Sequence, residues 1–404
     1  MTRKLAIDGG APLRSAALAP WPVYEDDEIE AVVATLRSGR VNQWTGEDVN
    51  AFEREFAAYV GTRSAVAVAN GTVSLELALR AAGVGPGDEV VVAPRTFMAS
   101  ASCVVTVGAT PVFADVDPRS GTLTAATIEA ALTPRTRAVI PVHLAGWPCP
   151  MDEIMDLAVE HHLFVLEDCA QSHGATLYGR QTGSWGHAAS FSFCQDKIMS
   201  TGGEGGLITT NDEELRRAIW SMKDHGKSWE AVFERDHPPG FRWLHETVGT
   251  NLRMTGLSAA IGRRQLRKLD GWIERRQANA ATLSRAVADL PVLDVPQPPA
   301  HVRHAGYRWY GYVVPERLAP GWDRDRVLAA LAAEGLPAMS GSCSEVYLER
   351  AFSDRGLAPA APLPVARQLG ERSIAMPLHP TLSEADVRDL AAGLRSVLLA
   401  ASRG

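Results

Sequence analysis

The sequence has little cysteine and no excess of basic charge. Its five cysteines among 404 residues are widely spaced and form no CxxC pair, so we expect neither a disulfide scaffold nor a zinc or other metal site. The net charge of -7 argues against a general nucleic-acid-binding protein, because such proteins carry an excess of Lys and Arg. Local basic pockets for phosphate are compatible with that overall charge.

Long apolar runs are also missing. No stretch approaches the roughly 20 apolar residues that a membrane span needs, and the first residues, MTRKLAIDGGAPLRS, lack the apolar core of a signal peptide. We therefore expect a soluble, cytoplasmic protein with no membrane partner. A hydrophobic content of 46% is enough for a large core, and the length allows two or three domains.

From about residue 64 the chain alternates short β-branched runs with helical segments. The strand-like runs are SAVAVA, EVVVAP, TPVFADV, AVIPVHL, FVLED, AASFSF and GLITTND. Near-continuous apolar strands separated by helices predict an α/β fold with a mostly parallel, seven-stranded sheet covered by helices on both faces. Ligands of such sheets bind at the carboxyl ends of the strands, where FVLED ends in Asp168 and SAVAVA leads to Gly71.

The pattern changes after Asn251. A helical stretch at about 255–290 is followed by the Pro-rich segment PQPPA, a strand-like YRWYGYVV, the helix DRVLAALAAEG, a strand near 337–343 and the helix EADVRDLAAGLRSVLLAA. We therefore predict a large cofactor-binding domain with an N-terminal arm over residues 1–255, and a smaller C-terminal α+β domain over 256–404.

One lysine stands between a strand and a glycine-rich turn, in SFSFCQDKIMSTGGEGG. A single Lys is usually a solvated surface charge, but Lys197 lies between an apolar strand and glycines that permit backbone conformations a Cβ forbids. Burial on such a segment lowers the pKa of an amine and makes it a nucleophile for a carbonyl carbon. A Schiff base with pyridoxal phosphate (PLP) needs this chemistry.

An acid closes the strand FVLED. A buried carboxylate is costly without a partner. PLP supplies one, because a carboxylate opposite the pyridine nitrogen keeps that nitrogen protonated and lets the ring act as an electron sink. Asp168 fits this position. The alternative is an N-cap of the next helix, since Asp is a preferred N-cap residue.

Two further segments fit the same cofactor. In AVANGTVSLELAL a strand leads into a helix whose first backbone N–H groups, with the hydroxyls of Thr72 and Ser74, make an anion site for a phosphate. An ordinary Asn-Gly turn with a Thr cap is the alternative. Ser192, five residues before Lys197, adds a hydroxyl to the phosphate site. In PRTFMAS, Phe97 is placed to stack on a flat ring, although a lone Phe is more often a core residue.

Taken together, these segments resemble the DegT/StrS family of sugar aminotransferases, which adopt the aspartate-aminotransferase fold. The resemblance extends from about residue 20 to 395 and includes FEREFAAYVG, ANGTVSLELAL, PRTFMAS, GATPVFADVD, PVHLAG, EDCAQSHGA, SFSFCQDKIMSTGGEGG, GTNLRMT and PLHPTLSEADV. The order and spacing of so many segments is far more specific than any single motif.

The resemblance implies a role for the residues around the PLP ring. Lys197 occupies the Schiff-base position, and Asp168 matches the acid that pairs with the pyridinium nitrogen. Gln171 matches the polar residue beside the ring's oxygen substituent. Phe97 falls at the aromatic residue that stacks on the ring.

The resemblance also implies how the phosphate is bound. Gly71, Thr72 and Ser192 match the phosphate cradle of the family. Asn251 corresponds to a residue that reaches the phosphate from the partner subunit. We therefore expect a homodimer with active sites at its interface, related by a two-fold axis.

The activity implied is the transfer of an amino group from glutamate or glutamine to a keto group of a nucleotide-linked sugar. Family members with His at the lysine position perform dehydration instead, so Lys197 favours amine transfer. Amination of a carbocyclic ketone, and a PLP protein without transaminase turnover, are the alternatives.

Two segments bear on the substrate. GLPAMSGSCSEVYLERAF, at 335–352, stands where many members have a His-Tyr pair after a "GI" turn, so the sequence does not name the ketone. The stretch at 223–251 is rich in His, Arg and aromatic residues. It is either a binding segment for a nucleotide diphosphate or a solvated loop at a dimer interface.

Overall fold

The centre of the molecule is one seven-stranded sheet. The structure is a computed structural model that describes residues 4–237, 239–240 and 242–403. Along the chain, the strands of this sheet are Ser64–Val68, Glu89–Val92, Thr110–Phe113, Thr136–Ile140, Phe164–Asp168, Ala188–Ser192 and Gly206–Thr210. Gly206–Thr210 pairs antiparallel with both of its neighbours, and the other pairings are parallel. The predicted sheet is confirmed.

Side chains of the sheet are buried on both faces. In the first strand, Val66 and Val68 belong to one apolar cluster with Leu75, while Ala65 and Ala67 belong to a different cluster. Successive residues of a strand point to opposite faces, so each face has its own core. The helices of this region are Asp26–Ser38, Asp48–Val60, Gly71–Ala81, Ala99–Thr106, Ala125–Glu129, Met151–Glu160, Glu213–Lys223 and Trp229–Phe233.

A long helix, Gly256–Val287, joins the sheet region to the C-terminal part. Its Leu269 and Ile273 pack in the cluster under the large sheet, whereas Leu283 and Val287 pack in the C-terminal cluster. The predicted helix at 255–290 is confirmed. The domain boundary after residue 255 stays a prediction, because this helix belongs to both cores.

The C-terminal part contains a smaller antiparallel sheet. Its strands are Leu293–Asp294, Arg308–Val313 and Ser373–Pro377. The helices that accompany it are Arg324–Ala333, Arg350–Ser353, Pro364–Arg372 and Glu384–Ala401. The two-residue strands Thr176–Leu177, Arg180–Gln181 and Val302–Arg303 form a separate small sheet.

The strand predicted near 337–343 is wrong. Only Met339 forms a bridge there, with Ala375. Pro337 lacks a backbone N–H, and Gly341 adopts a left-handed conformation with φ of 88°, so the segment cannot continue a ladder.

Among residues 4–237, 239–240 and 242–403, no helix combines the length and apolar character needed to cross a membrane.

Candidate active site

Lys197 lies at the carboxyl edge of the large sheet. It follows the strand Ala188–Ser192, which runs parallel to Phe164–Asp168, so both strands end at the same edge. The Lys197 side chain is 13% exposed, and its Nζ lies 3.9 Å from Asp196 Oδ1. Nζ also lies 5.3 Å from the centre of the Tyr307 ring. The amine is therefore held in a largely buried and polar surrounding.

The surroundings of Lys197 raise the pKa of its amine. Burial lowers this pKa, but attraction from Tyr307, Asp196 and Asp168 outweighs burial. Burial also raises the pKa of Tyr307, and the attraction of its phenolate for Lys197 opposes that rise. The lowered pKa predicted for Lys197 is wrong for this set of side chains, because acids face the amine.

Asp168 is a buried carboxylate with a set orientation. Its Oδ2 accepts a hydrogen bond from the Ser100 hydroxyl at 2.7 Å, and its Oδ1 accepts one from the Ala170 backbone N–H at 3.0 Å. The Ser100 hydroxyl lies 2.8 Å from that of Thr96. Turns follow the strand, not a helix, so the alternative of Asp168 as a helix N-cap is excluded.

Gln171 connects this strand end to a neighbouring loop. Its side-chain Oε1 accepts a hydrogen bond from the Ala145 backbone N–H at 2.7 Å. Ala145 has a positive φ of 57°, a conformation that costs energy for a residue with a Cβ. Gln171 therefore helps to hold a strained loop beside the acid.

The start of the helix Gly71–Ala81 lies directly against Ser192. A Cβ built on Gly71 would lie 2.6 Å from the Ser192 Cβ, a distance that real Cβ contacts do not reach. The side chain of Asn70 caps the helix by accepting the Val73 N–H at 3.0 Å. Glycine is therefore required for the close approach that brings the helix N-terminus and the Ser192 hydroxyl together.

The two hydroxyls proposed beside that N-terminus, those of Thr72 and Ser74, lie in different surroundings. Thr72 is exposed. Ser74 is buried, and its hydroxyl donates to the Gly71 carbonyl oxygen at 2.7 Å and contacts the Ser190 hydroxyl. The prediction that Ser74 contributes to the anion site is therefore wrong, because its hydroxyl is bonded within the protein.

Phe97 and Asn251 both lie at the surface. Phe97 is 68% exposed, which excludes the alternative that it is a core residue. Asn251 is exposed and forms a bridge with Asp224. The backbone oxygen of Leu252, the next residue, accepts the Ala69 N–H at 2.9 Å, so this loop follows the chain that leads to Gly71.

Sequence reasoning missed four residues around the lysine and the acid. The Tyr307 hydroxyl donates to Asp196, although 111 positions separate them. The indole N–H of Trp21 donates to the Lys197 carbonyl oxygen at 2.9 Å. The fourth residue is Ser100, described above. Asp196 is the residue before Lys197, so its position in the sequence could have indicated a role beside the amine. The other three residues are far from Lys197 in sequence.

The segment at 335–352 lies beside the site. Backbone oxygens of Cys343 and Pro94 accept hydrogen bonds from Thr96 and Val346, both at about 3 Å. Within the stretch at 223–251, the Asp224 carboxylate pairs with Lys227 at 2.8 Å and with Arg253 at 2.6 Å. These contacts leave both interpretations of the stretch open, and two of its residues lie outside the described part of the chain.

Two cavities open between the large sheet and the C-terminal part. The larger has a volume of about 670 Å³, and its wall includes Trp147, Tyr178, His301 and Arg303. The smaller measures about 260 Å³ and is lined by a set that includes Trp21, Asp196, Arg276 and Tyr307. Arg308 and Leu378 contribute to both walls, so the cavities are neighbours.

Comparisons with known proteins agree with this geometry. Residues 22–395 match the model of the DegT/DnrJ/EryC1/StrS aminotransferase family. The spore coat polysaccharide biosynthesis protein SpsC of Bacillus subtilis is 39% identical over 381 residues, which cover 93% of this chain and 96% of that protein. GDP-perosamine synthase of Caulobacter vibrioides is 39% identical over 361 residues, covering 88% and 91%.

A solved structure shows the same fold. The X-ray structure of the aminotransferase from Psychrobacter cryohalolentis superimposes with a TM-score of 0.94 at 49% sequence identity, covering 95% of this chain and 100% of that one. The resemblance read from the sequence motifs is therefore confirmed over nearly the whole chain. The chain is an aminotransferase and belongs to the DegT/DnrJ/EryC1/StrS aminotransferase family.

Proposed function

We propose that this aminotransferase holds PLP on Lys197 and transfers an amino group from glutamate or glutamine to a keto group of a nucleotide-linked sugar. One observation carries the proposal. A largely buried lysine and a buried, oriented acid, Asp168, lie at the same carboxyl edge of the sheet. Membership of an aminotransferase family supports the same chemistry.

The side chains present fit this cofactor at three places. The absence of a Cβ on Gly71 lets the helix N-terminus lie against Ser192, and that N-terminus suits a phosphate. The Ser100 hydroxyl fixes one carboxylate oxygen of Asp168, and an acid held in this way would suit a protonated ring nitrogen. The exposed ring of Phe97 is free of the core and suits stacking on a flat group.

When bound, PLP supplies an electron sink for breaking the Cα–H bond of an amino acid. The side chains of the protein position charged groups and transfer protons. Asp168 would keep a proton on the pyridine nitrogen, and Ser100 holds Asp168 in place. Once released from the cofactor as the free amine, Lys197 Nζ would take the proton from the substrate Cα as a general base and give it to the cofactor carbon as a general acid. The side chain of Gln171 holds the loop at Ala145 through a hydrogen bond.

The larger cavity suits the keto substrate. Its volume of about 670 Å³ falls in the range of roughly 300–1,000 Å³ that is usual for ligand sites. Its wall combines aromatic rings with the guanidinium groups of Arg119 and Arg303, which suit a nucleobase and a diphosphate. One relative is named GDP-perosamine synthase, and this name refers to a nucleotide-linked product.

We place the enzyme in the cytoplasm as a homodimer. Ile29, Val33 and Leu36 are exposed on one helix at a spacing that puts them on one face. Phe97 and Asn251 are exposed near the cofactor site. A second copy of the chain that covers these groups would complete the site, as the family resemblance implies.

The decisive experiment removes the proposed attachment point. Lys197→Ala should abolish both turnover and the visible absorption of the bound cofactor, and borohydride reduction of the wild type should label position 197. Near wild-type transamination by the variant, or labelling of another residue, contradicts the proposal.

A second experiment identifies the keto substrate. The holoenzyme is incubated with glutamate and a panel of nucleotide keto sugars and cyclitol ketones, and products are identified by mass spectrometry. We expect amination of a nucleotide keto sugar. Amination of a cyclitol alone supports the carbocyclic alternative, and no amination together with an unchanged cofactor spectrum supports a protein without transaminase turnover.

A further inference from the structure

Asp196 connects the amine of Lys197 to a tyrosine from a distant part of the chain. One of its carboxylate oxygens, Oδ2, accepts a hydrogen bond from the Tyr307 hydroxyl. The other, Oδ1, lies 3.9 Å from Lys197 Nζ, which is within the range of an ion pair. The Tyr307 ring also faces this amine, with its centre 5.3 Å from Nζ. The three side chains therefore form one connected group.

Tyr307 gives this group a fixed geometry. The Asp196 side chain is 45% exposed, and an exposed carboxylate beside a lysine usually gains little, because water competes with the ion pair and both side chains must be ordered. Tyr307 is only 8% exposed, and its backbone N–H donates to the Ala145 carbonyl oxygen at 3.0 Å. The bond from its hydroxyl therefore holds the Asp196 carboxylate beside the amine.

Three other ionisable groups lie around the Lys197 amine. Both carboxylate oxygens of Asp168 already accept hydrogen bonds from protein groups. Burial raises the pKa of the Cys194 thiol, and the Glu204 carboxylate raises it further. Burial lowers the pKa of His173 to about 3, and repulsion by Lys197 adds to this shift, so the imidazole is neutral at neutral pH. None of these groups duplicates an oriented carboxylate in ion-pair contact with the amine.

The members of the group also shift one another's pKa. Burial lowers the pKa of Lys197, but attraction from Tyr307 and Asp196 outweighs burial, and Asp168 adds to it. Burial raises the pKa of Asp196, but the Lys197 charge and the Tyr307 hydrogen bond outweigh it and lower this pKa. Arg308, whose guanidinium lies 5.2 Å from the centre of the Tyr307 ring, lowers the pKa of Asp196 as well. The directions agree with the distances, because opposite charges stabilise each other.

We propose that Asp196 and Tyr307 form a positioning pair that stabilises the ammonium form of Lys197. The inference rests on the proposed function, because it concerns the proton transfer at that same site. In this transfer the free amine takes a proton from the substrate Cα, becomes an ammonium, and returns to the neutral amine when it gives the proton to the cofactor carbon. A carboxylate beside the ammonium makes the amine a stronger base, so removal of the Cα proton becomes more favourable. Tyr307 acts through Asp196 by holding its carboxylate in place.

The first test measures the charge of Lys197 without turnover. The full chain, freed of cofactor, is treated with a trace of acetic anhydride at a series of pH values, and mass spectrometry of its peptides gives the acetylation of each lysine. Only the unprotonated amine reacts, and the exposed Lys4 serves as the internal standard. Near neutral pH, Lys197 should be acetylated about 5- to 100-fold faster in Asp196→Asn than in the wild type, because a charge 3.9 Å away is lost. Tyr307→Phe should change the rate in the same direction.

A second tyrosine–aspartate pair in the chain provides the matched control. The Tyr59 hydroxyl donates to Asp270 Oδ1 at 2.9 Å, on the helix Gly256–Val287. Asp270→Asn and Tyr59→Phe remove the same chemical groups as the test variants, and they should leave the acetylation of Lys197 as it is in the wild type. An equal change in these controls would show a general effect of net charge and overturn the inference.

Kinetics of the holoenzyme test whether the pair acts in the reaction. Asp196→Asn should lower kcat about 2- to 10-fold, a fraction of the change in basicity, and move the acidic limb of the pH–rate profile to lower pH. The KM for glutamate should change much less. Asp196→Glu keeps a carboxylate and should restore part of kcat. A residue that only stabilised the fold would lower the melting temperature without moving the acidic limb.

The outcomes separate this inference from the proposed function. Acetylation of Lys197 that is unchanged or slower in folded Asp196→Asn overturns the inference while the proposed function stands. Circular dichroism identifies a variant that fails to fold, and the half-exposed Asp196 keeps the test decisive if the buried Tyr307 cannot be replaced. Borohydride labelling of another residue in the wild type is instead a failure of the proposed function.

Discussion

Asp168 depends on two small donors for its position. The Ser100 hydroxyl and the Ala170 N–H hold its two carboxylate oxygens, and the residue is 5% exposed. A buried carboxylate held in this way faces a fixed direction, which is what a charge partner for a ring nitrogen requires.

Asp168→Asn should leave the cofactor bound and slow turnover by roughly 100- to 1,000-fold, the usual effect of losing one preorganised charged group. The measurement is kcat with the cofactor content determined by absorption. Asp156→Asn is the control, because Asp156 is an exposed residue on the helix Met151–Glu160. Wild-type kinetics in Asp168→Asn would rule out its role.

At the scale of elements, the connection from the first strand to its helix decides the phosphate site. The strand Ser64–Val68 and the helix Gly71–Ala81 are separated by two residues, and the helix begins against Ser192. Only a residue without a Cβ allows this approach, so a single position controls how the helix N-terminus meets the end of another strand.

Gly71→Ala should displace the start of the helix, because its Cβ would lie 2.6 Å from that of Ser192. We expect a loss of about 1–3 kcal/mol in the free energy of unfolding and weaker retention of the cofactor. Urea titration and cofactor dissociation during dialysis measure the two effects.

Gly271→Ala is the matched control, because Gly271 lies in the long helix with nothing within 4 Å of its Cβ position. Alanine there should keep or increase the stability. Equal stability and cofactor retention in both variants would contradict the importance of the close approach at Gly71.

At the scale of the whole molecule, an apolar stripe marks the face that we assign to the dimer. Ile29 and Leu36 are more than half exposed on the helix Asp26–Ser38. Leu36→Glu should shift the protein towards a monomer in light scattering, because it places a charge within a buried interface.

Val159→Glu is the control for this substitution, since Val159 is exposed on a different helix, Met151–Glu160. If both variants have the oligomeric state of the wild type, the stripe is not the interface.

The stability of the whole molecule should also depend on pH. Burial lowers the pKa of His173 to about 3, and that of His304 to about 4. Their ordinary value is 6.5, so between these limits the unfolded chain binds protons that the folded chain does not. The stabilisation is present above pH 6.5 and is lost as the pH falls towards 4.

Urea denaturation at a series of pH values measures this dependence. His173→Leu removes one of the groups and should make the fall in stability between pH 6.5 and pH 4 shallower. An identical slope for the variant and the wild type would show that His173 does not titrate as the structure indicates.

The sequence predicted more of the fold than of the site. The seven apolar runs between residues 64 and 212 predicted the strands of the large sheet, because a strand buried on both faces is recognisable locally. The run near 337–343 predicted a strand that does not form, and Ser373–Pro377 was missed as its short apolar run ends in proline. The placement of the predicted site residues on cofactor atoms stays a prediction.

The sequence alone determined the class of fold, the family and the positions of the lysine and the acid, since these depend on local periodicity and on the order of motifs. Only the tertiary structure decided what surrounds them. It brings Tyr307 to Asp196 across 111 positions, bonds the Ser74 hydroxyl to the Gly71 carbonyl oxygen and raises the pKa of Lys197. Electrostatic and hydrogen-bond energies depend on distance in space, and the spacing of residues along a chain does not specify that distance.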